Sequence, residues 1–93
     1  MRARVTLYFP FREEIPEHPV ELELPEGAVV RQVVEALVSR FPNLRLRFYD
    51  AQGHIHRHIS ALVNGVSIQF QHGWSTLLPQ DAEVVLLPPL GGG

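Results

Sequence analysis

Hydrophobic and polar positions change period along the chain, and each change marks an element. Val5, Leu7, Phe9 and Phe11 alternate with Arg4, Thr6 and Tyr8 from Ala3 to Phe11. That period of two predicts a half-buried strand, with Pro10 near its end. Arg12 to Pro19 is charged, carries two prolines and reads as a hairpin connection longer than the tightest type. Val20, Leu22 and Leu24 then alternate with Glu21 and Glu23, so the first two elements predict an antiparallel hairpin. Pro25-Glu26-Gly27 breaks that pattern. Val30, Val33, Val34, Leu37, Val38 and Phe41 follow the i, i+3, i+4, i+7 series of one helical face. No Ser, Thr or Asp caps this helix, and Gly27 is the nearest tolerable residue for that place. Its valines cost a few tenths of a kcal/mol each in propensity. Burial outweighs this at roughly 1.5–3 kcal/mol per large side chain. Pro42 ends the helix.

Asn43 to His56 is the least patterned stretch. Leu44, Leu46 and Phe48 alternate weakly with Arg45 and Arg47, and Asp50-Ala51-Gln52-Gly53 signals a turn. Ile59, Ala61 and Val63 alternate with Ser60 and Leu62 up to the tight-turn dipeptide Asn64-Gly65, and Val66 to Ile68 predicts a short edge strand. Gln69 to Pro79 reads as connection, with Trp74 or Leu77-Leu78 tucked under the sheet. Asp81-Ala82-Glu83 leads into a last strand, Val84 to Leu87. One main helix and four to five strands make a two-layer α+β domain. The first and last strands are both apolar and fit as parallel neighbours at the centre of a mixed sheet, which is a β-grasp arrangement. The domain spans residues 1–87, and residues 88–93 form a flexible tail.

The tail changes the functional picture. Pro88-Pro89 cannot donate to a sheet ladder and stiffens the exit from the last strand. Leu90 and the glycines Gly91, Gly92 and Gly93 follow, so the chain is expected to end as a thin filament with a carboxylate at its tip. Glycine lets a backbone approach a partner closely. Such a filament suits a narrow active site on another protein, where a nucleotide-using enzyme would convert the carboxylate to an acyl-adenylate. The bland alternative is a frayed terminus.

Composition narrows the choice. With 93 residues and 45% hydrophobic content the chain makes one small domain. There is no cysteine, so any sulfur chemistry uses sulfur from outside. A formal charge of −2 argues against nucleic-acid binding through bulk charge. No apolar run reaches transmembrane length and no signal peptide is visible, which suggests a soluble, cytoplasmic protein without a membrane partner.

Val-Asn-Gly after a middle strand, an acidic turn before Glu83-Val84-Val85-Leu86-Leu87-Pro88-Pro89, and the glycine end together resemble the ubiquitin-like sulfur carriers. These include the small subunit of molybdopterin synthase and the thiamine-pathway carrier. The resemblance is most specific at Ala61 to Gly65 and Asp81 to Gly93. It implies a ubiquitin-like fold with no bound cofactor. A partner related to ubiquitin-activating enzymes docks the sheet and uses ATP to adenylate the terminal glycine. A desulfurase- or rhodanese-type donor supplies sulfur, and a thiocarboxylate results. A sulfur-accepting enzyme, such as the molybdopterin synthase large subunit, then takes the sulfur. By carry-over Gly93 or Gly92 holds the reactive carbonyl, while Gly91, Leu90, Pro89 and Pro88 thread and fix the tail. The chain departs from the family in having three glycines where the family has two. Gln80-Asp81-Ala82 also replaces the usual Gly-Asp turn. The longer stretch from Phe48 to His58 resembles the branch that includes carriers for cysteine synthesis and tRNA thiolation. The pathway therefore stays open between molybdopterin, thiamine, cysteine and tRNA. A protein modifier and a non-conjugating interaction module are the other readings.

The remaining constellations read as surface. His54, His56 and His58 alternate but lack a converging ligand set, so they predict an exposed His-rich segment and no metal site. Glu13, Glu14 and Glu17 form an acidic loop, and Arg45, Arg47 and Arg57 a small basic group. Trp74 reads as a structural anchor. Leu62 and Leu87 fall out of the inward phase of their strands and point to a docking patch. No catalytic triad, paired carboxylates or phosphate loop is visible, so the chain is expected to be a carrier and not an enzyme.

Overall fold

The computed structural model describes residues 1–8, 15 and 19–87. The elements are β1 (Arg2–Leu7), β2 (Val20–Glu23), α1 (Val30–Arg40), α2 (Arg45–Phe48), β3 (Ser60–Val63), β4 (Val66–Ser67) and β5 (Ala82–Leu87). The strands form a single five-stranded sheet in the order β2-β1-β5-β3-β4. β1 and β5 pair in parallel from Ala3↔Ala82 to Leu7↔Leu86. β1–β2, β3–β5 and β3–β4 are antiparallel. This is the β-grasp arrangement expected from the chain.

One face of the sheet supplies Ala3, Val5, Leu7, Val20, Leu22, Ala61, Val63, Ala82, Val84 and Leu86 to a single core. Helix α1 covers that face with Val30, Val33, Val34, Leu37 and Val38. Phe41, at the end of the same stripe, is only half-buried and is the C-cap residue. The helix stops at Arg40, before Pro42.

Several local readings are corrected. Gly27 is not the helix cap. It sits at φ +80° in the turn closed by the Ala28 N–H donating to the Pro25 carbonyl at 3.2 Å. The N-cap is Val29, and the Gln32 side chain supplies the missing acceptor for the Val29 N–H at 2.9 Å. The weak Leu44–Phe48 alternation, left without an element by the sequence, belongs to helical turns. Pro42–Leu44 forms a 3₁₀ turn that runs into α2. Leu44 and Phe48 are fully buried one helical turn apart, whereas Leu46 is 85% exposed. A helical period of four puts the first two inside and the middle one out. Ile68 opens a second 3₁₀ turn and is not part of the edge strand. Of the pair Leu77-Leu78 only Leu78 is buried, and Trp74 is partly buried against the core. The final strand begins at Ala82, two residues earlier than its apolar run suggests. Phe9, Pro10 and Phe11, the acidic Glu13, Glu14 and Glu17, and the tail Pro88–Gly93 lie outside the described residues.

Candidate functional site

Strand β5 lies at the middle of the sheet, between β1 and β3, and its last residue is Leu87. Leu87 therefore stands at the centre of one sheet end. Position is set at the other end of β5 by Asn64. Its N–H donates to the Glu83 carbonyl at 2.8 Å, and its Oδ1 accepts from the Glu83 N–H at 2.8 Å. Asn64 sits at φ +48° and Gly65 at φ +85°, the left-handed pair that a two-residue hairpin turn requires. The Asn-Gly dipeptide thus closes the β3–β4 hairpin and also clamps β5 in register.

Asp81 precedes β5 at φ +53°. The turn that departs from the usual Gly-Asp pattern therefore uses an aspartate where the backbone favours glycine. Gln80 Nε2 adds a tie to the Glu26 carboxylate at 2.9 and 3.1 Å.

The outer face of the sheet is divided. At the β5 start it is charged. Arg4 meets Glu83 at 3.6 Å, and Arg2 meets Glu21 at 3.5 Å and Glu23 at 3.4 Å. These pairs are exposed and worth little in stability. Towards the β5 end it is apolar. Leu62 stands opposite Val85, Val85 opposite Thr6, and Leu87 opposite Ser60. All of these are half-buried, and Tyr8 beside them is 54% exposed. The Tyr8 N–H donates to the Leu86 carbonyl, which holds the end of β1 against β5.

The structure thus brings Leu62 and Leu87 to one face and puts Leu87 at the exit. It adds Val85 and Tyr8, which the sequence reading did not single out. The signal was present, since Val85 and Tyr8 lie out of phase with their buried neighbours Val84, Leu86 and Leu7. The other predicted site residues, Pro88, Pro89, Leu90, Gly91, Gly92 and Gly93, lie outside the described residues.

His54, His56 and His58 do not share a strand face. Tyr49 and Ile55 form an isolated bridge, and the Asp50 carboxylate accepts from the Gln52 and His54 N–H groups at 2.9 and 3.0 Å. Those backbone donors, His54 first, hold the Asp50 carboxyl below the usual carboxylate range. Among the described residues no group of three His, Cys, Asp or Glu side chains could hold a metal ion. Arg45, Arg47 and Arg57 are exposed. No helix among the described residues is long and apolar enough to cross a membrane.

A mixed five-stranded sheet grasping one main helix, with its central strand running out beside an apolar face, defines a ubiquitin-like β-grasp protein. Residues 6–93 match the ThiS family, and the chain belongs to that family. It is 25% identical to small archaeal modifier protein 3 of Haloferax volcanii, over the whole of both chains. Among solved structures it resembles small archaeal modifier protein 1 (SAMP1) of Haloferax volcanii, with a TM-score of 0.87, 25% identity and full coverage of both chains. It also resembles SAMP1 of Methanosarcina acetivorans, with a TM-score of 0.80, 31% identity and coverage of 99% and 96%. The protein is thus one of the ubiquitin-like small modifiers and sulfur carriers.

Proposed function

We propose that this chain carries sulfur on a thiocarboxylate at its terminal glycine. The activating partner docks on the apolar half of the outer sheet face, at Leu62, Val85 and Leu87. Pro88, Pro89, Leu90 and Gly91 then lead the end of the chain into that partner's active site. There a carboxylate oxygen of Gly93, or of Gly92 after trimming, attacks the α-phosphorus of ATP. Pyrophosphate leaves and an acyl-adenylate forms. The persulfide of a desulfurase- or rhodanese-type donor displaces AMP to give an acyl disulfide. A thiol then attacks the donor-side sulfur, forming a new disulfide with the donor and releasing the thiocarboxylate, which delivers sulfur to a second enzyme. The carrier supplies the docking face and the acyl group, and its partners supply the catalysis.

The observation that carries this reading is the end of β5. A central strand reaches Leu87 beside a half-buried apolar patch, and Pro-Pro-Leu-Gly-Gly-Gly comes next in the sequence. Apolar surface kept on a sheet face while the opposite charged half is self-paired fits a partner footprint. The strand, the Asn-Gly turn and the glycine end support a molybdopterin synthase large subunit as the first acceptor to test, through their resemblance to the small subunit of that enzyme. The names of the modifier proteins it resembles favour a second reading, in which the activated glycine is joined to lysine amines of other proteins. Both share the adenylation step.

The test is intact mass spectrometry of the protein incubated with ATP, a candidate adenylating enzyme and a sulfur donor. A mass gain equal to one oxygen exchanged for one sulfur, located in the final peptide, is the expected result. Lysine-linked adducts on other proteins without that exchange would select the modifier reading. An unchanged mass with a panel of adenylating enzymes would overturn the proposal.

A further inference from the structure

The helix side of the molecule carries a trough that the activation chemistry does not use. One wall is the exposed flank of α1, and the other is the turn from Tyr49 to Ile55. Two adjoining cavities, of about 540 and 440 Å³, share Glu35, Tyr49 and Gly53. The first extends to Ser39 and Arg45, the second to Arg31 and Trp74.

The charges here differ from those on the sheet. Arg2, Arg4, Glu21, Glu23 and Glu83 are all in ion pairs. Arg31, Glu35 and Arg45 make no ion pair or side-chain hydrogen bond among the described residues, although Arg31 and Glu35 are four apart on one helix. The Tyr49 hydroxyl, at the middle of the trough, also lacks a hydrogen-bond partner among the described residues. Burial, and next the Glu35 carboxylate, push that phenol up, so it stays a neutral donor.

Arg31 marks one end of the trough and Arg45 the other, beyond Ser39. Arg31 to Ser39 covers roughly 12 Å along the helix axis at 1.5 Å per residue. Residues i and i+4 of an extended peptide are about 13 Å apart and point the same way. We propose that this trough docks an extended acidic peptide segment of a partner protein. Two of its carboxylates, at least four residues apart, meet Arg31 and Arg45. Glu35 accepts a backbone N–H between them, and Tyr49 donates to a peptide carbonyl. The open, elongated shape and the guanidiniums at both ends suit such a segment better than a compact ligand. The trough lies across the core from the apolar sheet face. The protein can therefore hold this partner while its sheet face and chain end are engaged elsewhere. The inference does not depend on the sulfur-carrier reading.

The experiment is a titration of the ¹⁵N-labelled full chain with an acetylated, amidated heptapeptide of Ala and Val carrying Asp at its second and sixth positions. Controls are the same peptide with Asn at both positions, and inorganic phosphate. Shifts confined to the α1 flank, the Tyr49–Ile55 turn and the Trp74 indole, absent with both controls, are expected. Arg31→Gln and Arg45→Gln should each weaken the interaction roughly two- to five-fold, as befits partly exposed ion pairs. Leu62→Glu on the sheet face should leave it unchanged. Equal binding of the Asn peptide, shifts on the sheet face, the same shifts with phosphate alone, or no shifts at millimolar peptide would overturn the proposal.

Discussion

Asn64 holds Glu83 by two 2.8 Å hydrogen bonds, one from its own N–H and one into its side-chain oxygen. The antiparallel register of β3 and β5 thus continues one step past Val63↔Val84, with a side-chain oxygen taking the place of a backbone carbonyl. Replacing Asn64 with Ala removes that acceptor and puts a Cβ residue without local hydrogen bonding at positive φ. The cost should be about 2 kcal/mol in denaturant unfolding. Asn64→Gly keeps the backbone and loses only the bond, so about 1 kcal/mol is expected. Equal costs would show that the lost hydrogen bond alone matters and the backbone angle does not.

The outer face separates binding from folding. Leu62→Glu places a charge on a half-buried, outward position of β3 and should change the melting temperature little. Loss of a central apolar contact from the activating complex should raise the KM for this protein about ten-fold or more in a pyrophosphate-release assay. Arg4→Gln, on the charged half of the same face, should alter that KM far less. A similar KM rise for both variants would argue against the divided face.

The two turns that enter α1 and β5 depend on positive φ. Gly27→Ala should destabilise by about 1 kcal/mol, because Ala at φ +80° is strained although space is open around it. Asp81→Val should cost about 1–2 kcal/mol for the same reason, aggravated by β-branching. Asp81→Gly should fall within about 0.5 kcal/mol of the parent, since relief of strain is offset by backbone entropy. Urea midpoints of the three variants order these effects.

Asp50 makes the Tyr49–Ile55 turn acid-sensitive. Its carboxyl is held below its ordinary value in the folded state by the His54 and Gln52 N–H donors. A depressed folded value means that the stabilisation is present above the unfolded value and is lost as pH falls through the folded one. The turn should therefore loosen only below the usual carboxylate range and be unaffected near neutrality. Amide shifts of Gln52 and His54 followed from neutral to strongly acidic pH check this, and Asp50→Asn should abolish the transition.

Removal of Gly92 and Gly93 should leave the unfolding midpoint unchanged and eliminate any oxygen-for-sulfur mass gain. Retained gain in the truncated protein would place the reactive carbonyl elsewhere.

The inward faces were legible because each is a local pattern. Val20-Leu22-Leu24 and Ile59-Ala61-Val63 bury as their alternation predicts, and the helical stripe from Val30 to Val38 packs as read. Leu44 to Phe48 stayed unassigned because five residues satisfy a period of two almost as well as a period of four. Only the exposure of Leu46 and the burial of Leu44 and Phe48 decide between them. The cap at Val29 was hidden because its acceptor is a side chain three residues later, on a residue type that is common on any helix surface. Leu62 and Leu87 were visible as phase breaks. Val85 and Tyr8 carry the same phase signal, but it gains meaning only once β1, β5 and β3 lie side by side.

The sequence by itself therefore determined the order of the strands and the main helix and the inward faces of those elements. These follow from periodicity and from residues that cannot continue a ladder. Tertiary structure decided the rest. It set the parallel register of β1 on β5, assembled the divided outer face, and lined one trough with Arg31, Glu35 and Arg45, which make no ion pair among the described residues. Residues far apart in sequence become neighbours only through register and packing, which no local pattern carries.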